Sequence, residues 1–132
     1  MIAFVQRMED NTKLSSVLAI VEVRSAIRRR QYAGDLARTS AEQAVSSLDV
    51  ESRRVVQHPV TSPVLATATA LVDRQNLRAL DSIQLATAMV ARDAQNRVNE
   101  VLFVSSDQRL LEAATSEGFS VWDPTTGPLT IA

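Results

Sequence analysis

The chain has 132 residues, no cysteine and one histidine, so disulfides, thiolate metal sites and multi-histidine zinc sites are all excluded. Its length suits one domain with its own core, and its 45% hydrophobic and 22% charged content is that of an ordinary globular protein. No apolar run reaches membrane-spanning length, and we expect a cytoplasmic protein. The formal net charge of −1 gives no overall attraction to nucleic acid, so such binding would require a local basic patch.

The first eleven residues fit two interpretations. Ile2, Val5 and Met8 recur at helical spacing, whereas Ile2 to Val5 could instead form a strand. The next apolar run begins at Leu14, and a crossover between parallel strands needs about a dozen residues or more. We therefore favour the end of an amphipathic helix here, followed by a turn at residues 11–13.

A strand and a helix follow in direct succession. Leu14-Ser-Ser-Val-Leu has the pattern of a short strand, and residues 19–30 continue with helical spacing. Ile20, Val23 and Ile27 form one apolar stripe on this helix. Glu22 lies off that stripe near the helix start, where the helix dipole favours a carboxylate. Three consecutive arginines, Arg28 to Arg30, end the helix, where the dipole favours cations.

The middle of the chain contains two more helices and a short strand. Ser40-Ala-Glu-Gln has the pattern of a capping box and predicts the start of a helix. The segment 55–60 contains a proline and predicts an edge strand, and its His58 receives no functional role. Thr61-Ser-Pro then combines a cap residue with a proline suited to a first helical turn.

The last third returns to alternating helix and strand. Leu80-Asp81 begins an alanine-rich helix, with Asp81 at or near its N-cap. Residues 101–104 form an apolar, β-rich run that stops at two serines and Asp107 before helical spacing resumes. Phe119 to Pro124 predicts a last strand, and residues 125–132 form a tail.

This alternation of helices and strands predicts one α/β domain over residues 1–124, with a mainly parallel sheet covered by helices on both faces. Chemistry collects at the carboxyl ends of the strands in such sheets. Glu22, Asp81 and Asp107 all lie near helix starts, so they could meet at one edge. Each also has a plain structural explanation as a helix cap or a solvent-facing residue, and Ser105 with Gln108 forms a competing capping box.

Three segments together resemble the PIN-domain family, in particular its VapC-type ribonuclease toxins. They are Val21-Glu22-Val-Arg-Ser-Ala, Ala79-Leu-Asp81-Ser-Ile-Gln-Leu-Ala-Thr-Ala and Phe103-Val-Ser-Ser-Asp107-Gln-Arg-Leu. The resemblance spans roughly residues 14–124 with the motifs in order. It implies a three-layer α/β/α sandwich, an acidic pocket for Mg²⁺ or Mn²⁺, cleavage of RNA, a small antitoxin protein as partner, and a homodimer.

The resemblance also implies roles for individual residues. Glu22, Asp81 and Asp107 become the catalytic, metal-binding acids, with Ser105 as a supporting polar residue and a metal-activated water as the nucleophile. Mg²⁺ prefers hard oxygen ligands, which agrees with carboxylates gathered on a rim. Arg24 and Arg28 lie on the helix that carries Glu22, and we expect them to bind RNA phosphates, although dipole-favoured charges on a solvated helix are the plainer account.

One departure from the family pattern concerns the first strand. PIN domains open with an apolar central strand that ends in a metal-binding Asp, and this chain shows no such segment. We therefore expect an N-terminally truncated domain with impaired catalysis, in which the missing central strand leaves a gap in the sheet. Strands that close up, a partner chain or a natural start that precedes Met1 would fill this gap. If residues 1–5 were the strand after all, Gln6 would stand where the acid belongs.

The sequence is also compatible with two other functions. The first is a non-catalytic PIN-like domain that binds a protein partner, or a second copy of itself, through apolar helix faces. The second is a small α/β domain that binds a phosphate or a cofactor. This second alternative is weakened because the chain has only three glycines, none of them in a phosphate-cradling loop after a strand.

Overall fold

The computed structural model describes residues 4–7, 12–94 and 101–127, the first of these ranges by its backbone alone. Strands and helices alternate through most of this length. In chain order the elements are β1 (Phe4–Arg7), β2 (Lys13–Ser16), α1 (Leu18–Tyr32), α2 (Arg38–Ser52), β3 (Val56–His58), α3 (Ser62–Gln75), α4 (Ala79–Ala94), β4 (Val101–Val104), α5 (Gln108–Ser116) and β5 (Ser120–Trp122).

The strands form one five-stranded sheet in the order β3-β2-β1-β4-β5. β2 pairs with β3 in parallel, as β4 does with β5, whereas β1 is antiparallel to both of its neighbours, β2 and β4. Every strand except β1 therefore runs in the same direction. The predicted α/β class and mainly parallel sheet are confirmed, and β3 is an edge strand as expected.

The preferred interpretation of the N-terminal segment is wrong, because residues 4–7 form a strand and not a helix. The error lay in assuming that a strand here would run parallel to the next one. An antiparallel pair needs only a short connection, so β1 and β2 can be neighbours in both sequence and space. The rest of the predicted helix and residue 11 of the turn after it lie outside the described residues, whereas Lys13, which was placed in the turn, is the first residue of β2.

β1 takes the central position of the sheet, where we expected a missing strand. Its residues pair with β4 from Phe4↔Val104 to Arg7↔Val101. Because β1 is antiparallel, Gln6 pairs with Leu102, toward the amino-terminal half of β4. Gln6 therefore does not lie at the edge of the sheet where β2 and β4 end. The expectation that Gln6 would take the place of the family's first Asp is also wrong.

The helix boundaries follow local capping chemistry where a cap is present. Thr61 Oγ1 accepts a hydrogen bond from Val64 N at 3.3 Å, and α3 begins there as predicted. α2 instead begins at Arg38, after Ala37, whose side chain makes no capping bond. The capping box predicted at Ser40 is therefore wrong, since that residue already lies in the first turn. Gly34, with φ of 85°, follows the end of α1 in the left-handed conformation that glycine adopts easily.

The main core lies between the sheet and the helices α3, α4 and α5. Leu71, Leu85, Phe103 and Leu110 are almost completely buried in it, and Leu14 of β2 packs against it. Each such side chain contributes roughly 1.5–3 kcal/mol through burial. Side chains alternate along a strand, and Ser15, next to Leu14, faces the other layer.

The second helical layer consists of α1 and α2. Ser15 of β2, Ala19 of α1 and Leu48 of α2 line one small cavity of about 200 Å³, so these two helices cover the face opposite to the main core. Together the layers form an α/β/α sandwich. In the part of the chain that the structure describes, no helix is long and apolar enough to cross a membrane.

A polar network ties the ends of three helices together. Arg74 of α3 donates two hydrogen bonds to the Glu117 carboxylate, at 3.1 and 2.5 Å, and Gln75 Nε2 donates a third at 2.6 Å. Arg92 of α4 donates to the Glu117 carbonyl at 2.8 Å, with its guanidinium 4.2 Å from the centre of the Phe119 ring. The cation–π contact and the charged hydrogen bonds fix α5 against α3 and α4.

Candidate functional site

The fold brings several chain segments to one edge of the sheet. β2 and β4 run in the same direction, so the start of α1 and the start of α5 both follow strand ends at that edge. The first turn of α4 joins them, and the three helix starts enclose a cleft of about 560 Å³. Its lining residues are Leu18, Val21, Glu22, Ser25, Arg29, Arg78, Ala79, Leu80, Asp81, Asp107 and Leu110.

Four of the five residues that α1 contributes to the cleft form one helical stripe, and the fifth, Val21, lies beside it. Leu18, Glu22, Ser25 and Arg29 are spaced by four, three and four residues, which places their side chains above one another on one face. This face is different from the apolar stripe that the sequence analysis placed on the same helix. Glu22 lies off that apolar stripe, and its side chain therefore lines the cleft.

Glu22 is half-buried and held by an amide. Gln84 Nε2, on α4, donates a hydrogen bond to Glu22 Oε2 across the gap between the two helices. Burial raises the pKa of Glu22 above its usual value, and the negative charge of Asp81 raises it further. The Gln84 hydrogen bond and the nearby positive charge of Arg29 oppose this pKa shift.

Asp81 is also half-buried and lies in the first turn of α4, two residues after its start at Ala79. This agrees with the expectation of an acid at or near the start of that helix. Burial raises the pKa of Asp81, and the negative charge of Asp107 adds to the effect. Arg78 and Arg109 oppose it. The net shift shows that burial and like charge outweigh these two cations.

Asp107 is the N-cap of α5. Its Oδ1 accepts hydrogen bonds from the backbone N–H groups of Arg109 and Leu110, at 3.0 and 3.2 Å. The buried Ser105 accepts a hydrogen bond from Asp107 N through its hydroxyl at 3.1 Å. The competing capping box of Ser105 with Gln108 is therefore wrong, and Ser105 instead shapes the turn that presents Asp107.

The three acids thus line one cleft, with Asp81 between the other two in electrostatic terms. Asp81 affects the pKa of Glu22, and Asp107 affects that of Asp81. Both capping hydrogen bonds go to Oδ1 of Asp107, so Oδ2 can bind a ligand while Oδ1 caps the helix. Within residues 12–94 and 101–127, however, no three acidic or histidine side chains already stand close enough to hold one metal ion.

The donor chemistry of the cleft fits a hard divalent cation. Its candidate ligands are carboxylate oxygens, which Mg²⁺ and Mn²⁺ accept. Two of these carboxylates are half-buried with raised pKa values, and a bound cation would favour their ionised forms. Their spacing is looser than in a finished coordination site, so binding would require the side chains to draw closer around Asp81.

The predicted RNA-binding arginines face another helix. Arg24 pairs with Asp49 of α2 at 3.5 Å, and Arg28 with Glu42 of α2 at 2.9 Å. Neither is among the residues that line the cleft, whereas Arg29 is, together with Arg78 from the loop before α4. Their expected role in RNA binding stays a prediction.

Sequence reasoning did not single out Arg78 or Gln84. Arg78 comes directly before the helix that carries Asp81, and Gln84 follows Asp81 by three residues, on the same face of that helix. Helical spacing from Asp81 could therefore have selected Gln84. Nothing in the sequence indicated that its partner would be Glu22.

The rim of the cleft is partly apolar. Val21 of α1 is 67% exposed and Leu80 of α4 is 44% exposed, and both line the cleft beside the acids. Large aliphatic side chains are more often buried, so these two give the mouth of a polar cleft some exposed apolar surface.

Comparison with known families adds an independent finding. The family model of the PIN domain matches residues 1–115, a range that includes Glu22, Asp81 and Asp107. A comparison with curated proteins gave no match.

Proposed function

Because the chain belongs to the PIN-domain family, whose fold is in general that of nucleases, we propose that it is a ribonuclease that uses Mg²⁺ or Mn²⁺ to hydrolyse RNA phosphodiester bonds. One observation carries the proposal. Three acids from distant segments of the chain, Glu22, Asp81 and Asp107, line the same cleft.

In this proposal the three carboxylates hold the cation, with Asp81 as the central ligand. When bound, such a cation lowers the pKa of water and offsets negative charge on the phosphate. Glu22 and Asp107 supply further oxygens from either side of Asp81, and the Ser105 hydroxyl fixes the turn that carries Asp107. The pKa of Asp81, which burial and the charge of Asp107 raise, supports this role because perturbed pKa values cluster at functional sites.

RNA phosphates need positive charge beside the acids. Arg29 and Arg78 line the cleft and supply it at the right place. Arg24 and Arg28 remain candidates for a more distant phosphate contact, but both are engaged by acids of α2. We therefore rank Arg29 and Arg78 ahead of them as RNA-binding residues.

Within the family, we place the chain in the VapC-type toxin group, with a small antitoxin as partner and a homodimer as its assembly. The order of the three motifs supports the subgroup. The exposed Val21 and Leu80 support a protein partner, since an apolar segment laid across them would cover the acids between. Light scattering of the purified chain would test the dimer directly.

The decisive experiment is calorimetric titration of the protein with Mn²⁺. The wild-type chain is expected to bind, and Asp81→Asn is expected to weaken binding at least tenfold, because a central charged ligand is lost. Asp73→Asn is the matched control, since Asp73 is exposed on α3 and does not line the cleft. Unchanged affinity in Asp81→Asn would remove the cation from this site.

Cleavage itself requires a second measurement. A labelled single-stranded RNA should be cut in the presence of Mn²⁺ and remain intact in EDTA. The Asp81→Asn protein, prepared in parallel, controls for contaminating nucleases. Cleavage that survives EDTA, or that is equal in the variant, would contradict the proposed mechanism.

A second candidate function is a non-catalytic PIN-like domain that binds a protein partner or its own copy. The exposed Val21 and Leu80 favour it, as does the lack of closely grouped metal ligands in the described ranges. The two candidates differ in the first titration. A binding module would show no saturable Mn²⁺ binding and would keep its partner affinity after Asp81→Asn.

A further inference from the structure

We propose that Gln84 is a positioning residue that orients the Glu22 carboxylate toward Asp81. The inference rests on the proposed function, because its consequence is the cation affinity of the cleft. Gln84 does not line the cleft itself and would act through Glu22.

The contact is a buried donor meeting a half-buried acceptor. Gln84 is only 4% exposed, and its Nε2 donates to Glu22 Oε2. Glu22 has three side-chain torsions, so without a fixed partner its carboxylate would sample several positions. A hydrogen bond from a buried, packed amide removes most of that freedom and leaves Oε1 of Glu22 available for a ligand.

The position of Gln84 on α4 sets the direction in which Glu22 is held. Asp81 and Gln84 are separated by three residues and therefore lie on the same helix face. One rigid helix thus carries both the central acid and the group that anchors the acid of α1. Any displacement of α4 would carry Asp81 and the anchor of Glu22 together.

The Oε1 atom of Gln84 indicates that this residue does more than fill space in the core. Gln84 Oε1 is buried and, in the described part of the chain, has no hydrogen-bond partner. A buried acceptor without a partner costs free energy, and an apolar side chain of similar length would avoid that cost. The hydrogen bond from Gln84 Nε2 to Glu22 explains why a glutamine is present here despite that cost. Exchanging the two amide atoms would set Oε1 against the Glu22 carboxylate, where two acceptors would repel.

A neutral donor suits this position better than a cation. A lysine or arginine here would fix Glu22 equally well but would neutralise its charge and compete with a divalent ion. The amide holds the carboxylate without neutralising it, so the charge remains available to the cleft. Half-burial raises the cost of that charge, which makes the donor more valuable.

A double-mutant cycle on Mn²⁺ affinity tests the proposal. Gln84→Met is nearly isosteric and removes both the donor and the unpartnered acceptor, and Glu22→Gln removes the charge on which Gln84 acts. We expect Gln84→Met alone to weaken Mn²⁺ binding about fivefold to tenfold in calorimetry. In the Glu22→Gln background the same change should have no further effect, because the residue through which it acts is neutral.

The chain contains a matched control at Gln75. Its Nε2 donates to the Glu117 carboxylate at 2.6 Å, the same pairing of groups, and neither residue lines the cleft. Gln75→Met should leave Mn²⁺ affinity unchanged even if it reduces stability. Circular dichroism of every variant establishes that it is folded, and Gln84→Leu replaces Gln84→Met if the latter does not fold.

A measurement on the unmodified chain complements the cycle. In a Mg²⁺ titration followed by NMR, the side-chain amide resonances of Gln84 should shift with the same midpoint as backbone resonances around Asp81. Those of Gln75 should not move.

The outcomes separate the inference from the function that underlies it. Wild-type affinity in Gln84→Met, equal losses in both backgrounds, or a silent Gln84 amide would overturn the positioning role while leaving the cation site intact. If the wild-type chain binds neither Mn²⁺ nor Mg²⁺, the proposed function fails, and the inference fails with it. Coupled loss in the cycle supports both.

Discussion

Asp107, which caps α5, raises the pKa of Asp81, which lies in the first turn of α4. The two residues are 26 positions apart in the chain, from 81 to 107, and they meet because both helices begin at the same edge of the sheet. Helix starts tolerate carboxylates individually, since the dipole favours them. Burial is the main cause of the raised pKa of Asp81, and the second helix start adds to it by placing the negative charge of Asp107 nearby.

The raised pKa of Asp81 predicts how the free energy of unfolding depends on pH. An acid whose pKa is raised by folding binds more protons in the folded state than in the unfolded state, so stability falls as pH rises through the interval between the two pKa values. For Asp81 the penalty is absent below its unfolded pKa of about 3.9 and complete above its raised folded value. We expect metal-free Asp81→Asn to be more stable than wild type at pH 7, by roughly 0.5–1 kcal/mol for a partly exposed group.

The measurement is urea unfolding of both proteins in EDTA at several pH values between 4 and 8. The advantage of Asp81→Asn should shrink toward pH 4, because protonation removes the same charge from the wild-type protein. Asp73→Asn, at an exposed position of α3, should show no such trend. A variant that is less stable than wild type by the same amount at every pH would mean that Asp81 is a structural residue.

Asp107 allows its capping role to be separated from its charge. Asparagine retains a side-chain oxygen for the N–H groups of Arg109 and Leu110, whereas alanine does not. Asp107→Asn should therefore retain most of the stability but lose Mn²⁺ affinity, and Asp107→Ala should lose both, with a stability cost of about 1 kcal/mol. Calorimetry and urea unfolding of the two variants make the comparison. Full Mn²⁺ affinity in Asp107→Asn would restrict this residue to its capping role.

The sequence was sufficient for features that depend on local chemistry. The apolar run at β4 followed by Asp107, and the cap at Thr61, were found because a few adjacent residues determine them. The convergence of Glu22, Asp81 and Asp107 was expected because all three lie near helix starts, although strand-then-helix order explains the common edge only for α1 and α5, since α4 follows another helix. All three line the cleft, although the structure does not test their roles.

The misses are pairings between distant segments. Periodicity gave no indication that β1 would run antiparallel between β2 and β4, since its short run fits a helix equally well and strand direction is set by its neighbours. The Gln84 contact with Glu22 and the engagement of Arg24 and Arg28 by α2 depend on how helices pack. No local pattern encodes such contacts.

RNA binding should distinguish the arginines of the cleft from those that face α2. Arg29→Ala and Arg78→Ala should each weaken binding of a single-stranded RNA and reduce the dependence of log K on log salt by about one phosphate contact. Arg24→Ala and Arg28→Ala should have smaller effects, because Asp49 and Glu42 already compensate their charges. Fluorescence anisotropy between 50 and 200 mM salt measures both quantities. Equal losses at all four positions would contradict the ranking.

The central position of β1 predicts a sharp response to proline. Gln6 lies between β2 and β4, pairing with Lys13 on one side and Leu102 on the other. Proline removes the backbone N–H, and in a central strand it has no solvent-facing edge on which to be tolerated. Gln6→Pro should therefore cost roughly 1–3 kcal/mol in urea unfolding, because the carbonyl that accepted the lost N–H is left without a partner. Gln6→Thr, which keeps the N–H and favours strands, should remain close to wild type.

Amide hydrogen exchange supplies a second measurement on the wild-type chain, where residues 4–7 should be protected to an extent similar to that of β4. Fast exchange at these residues, together with a stable Gln6→Pro protein, would mean that the sheet does not depend on β1 and that another element holds β2 and β4 together.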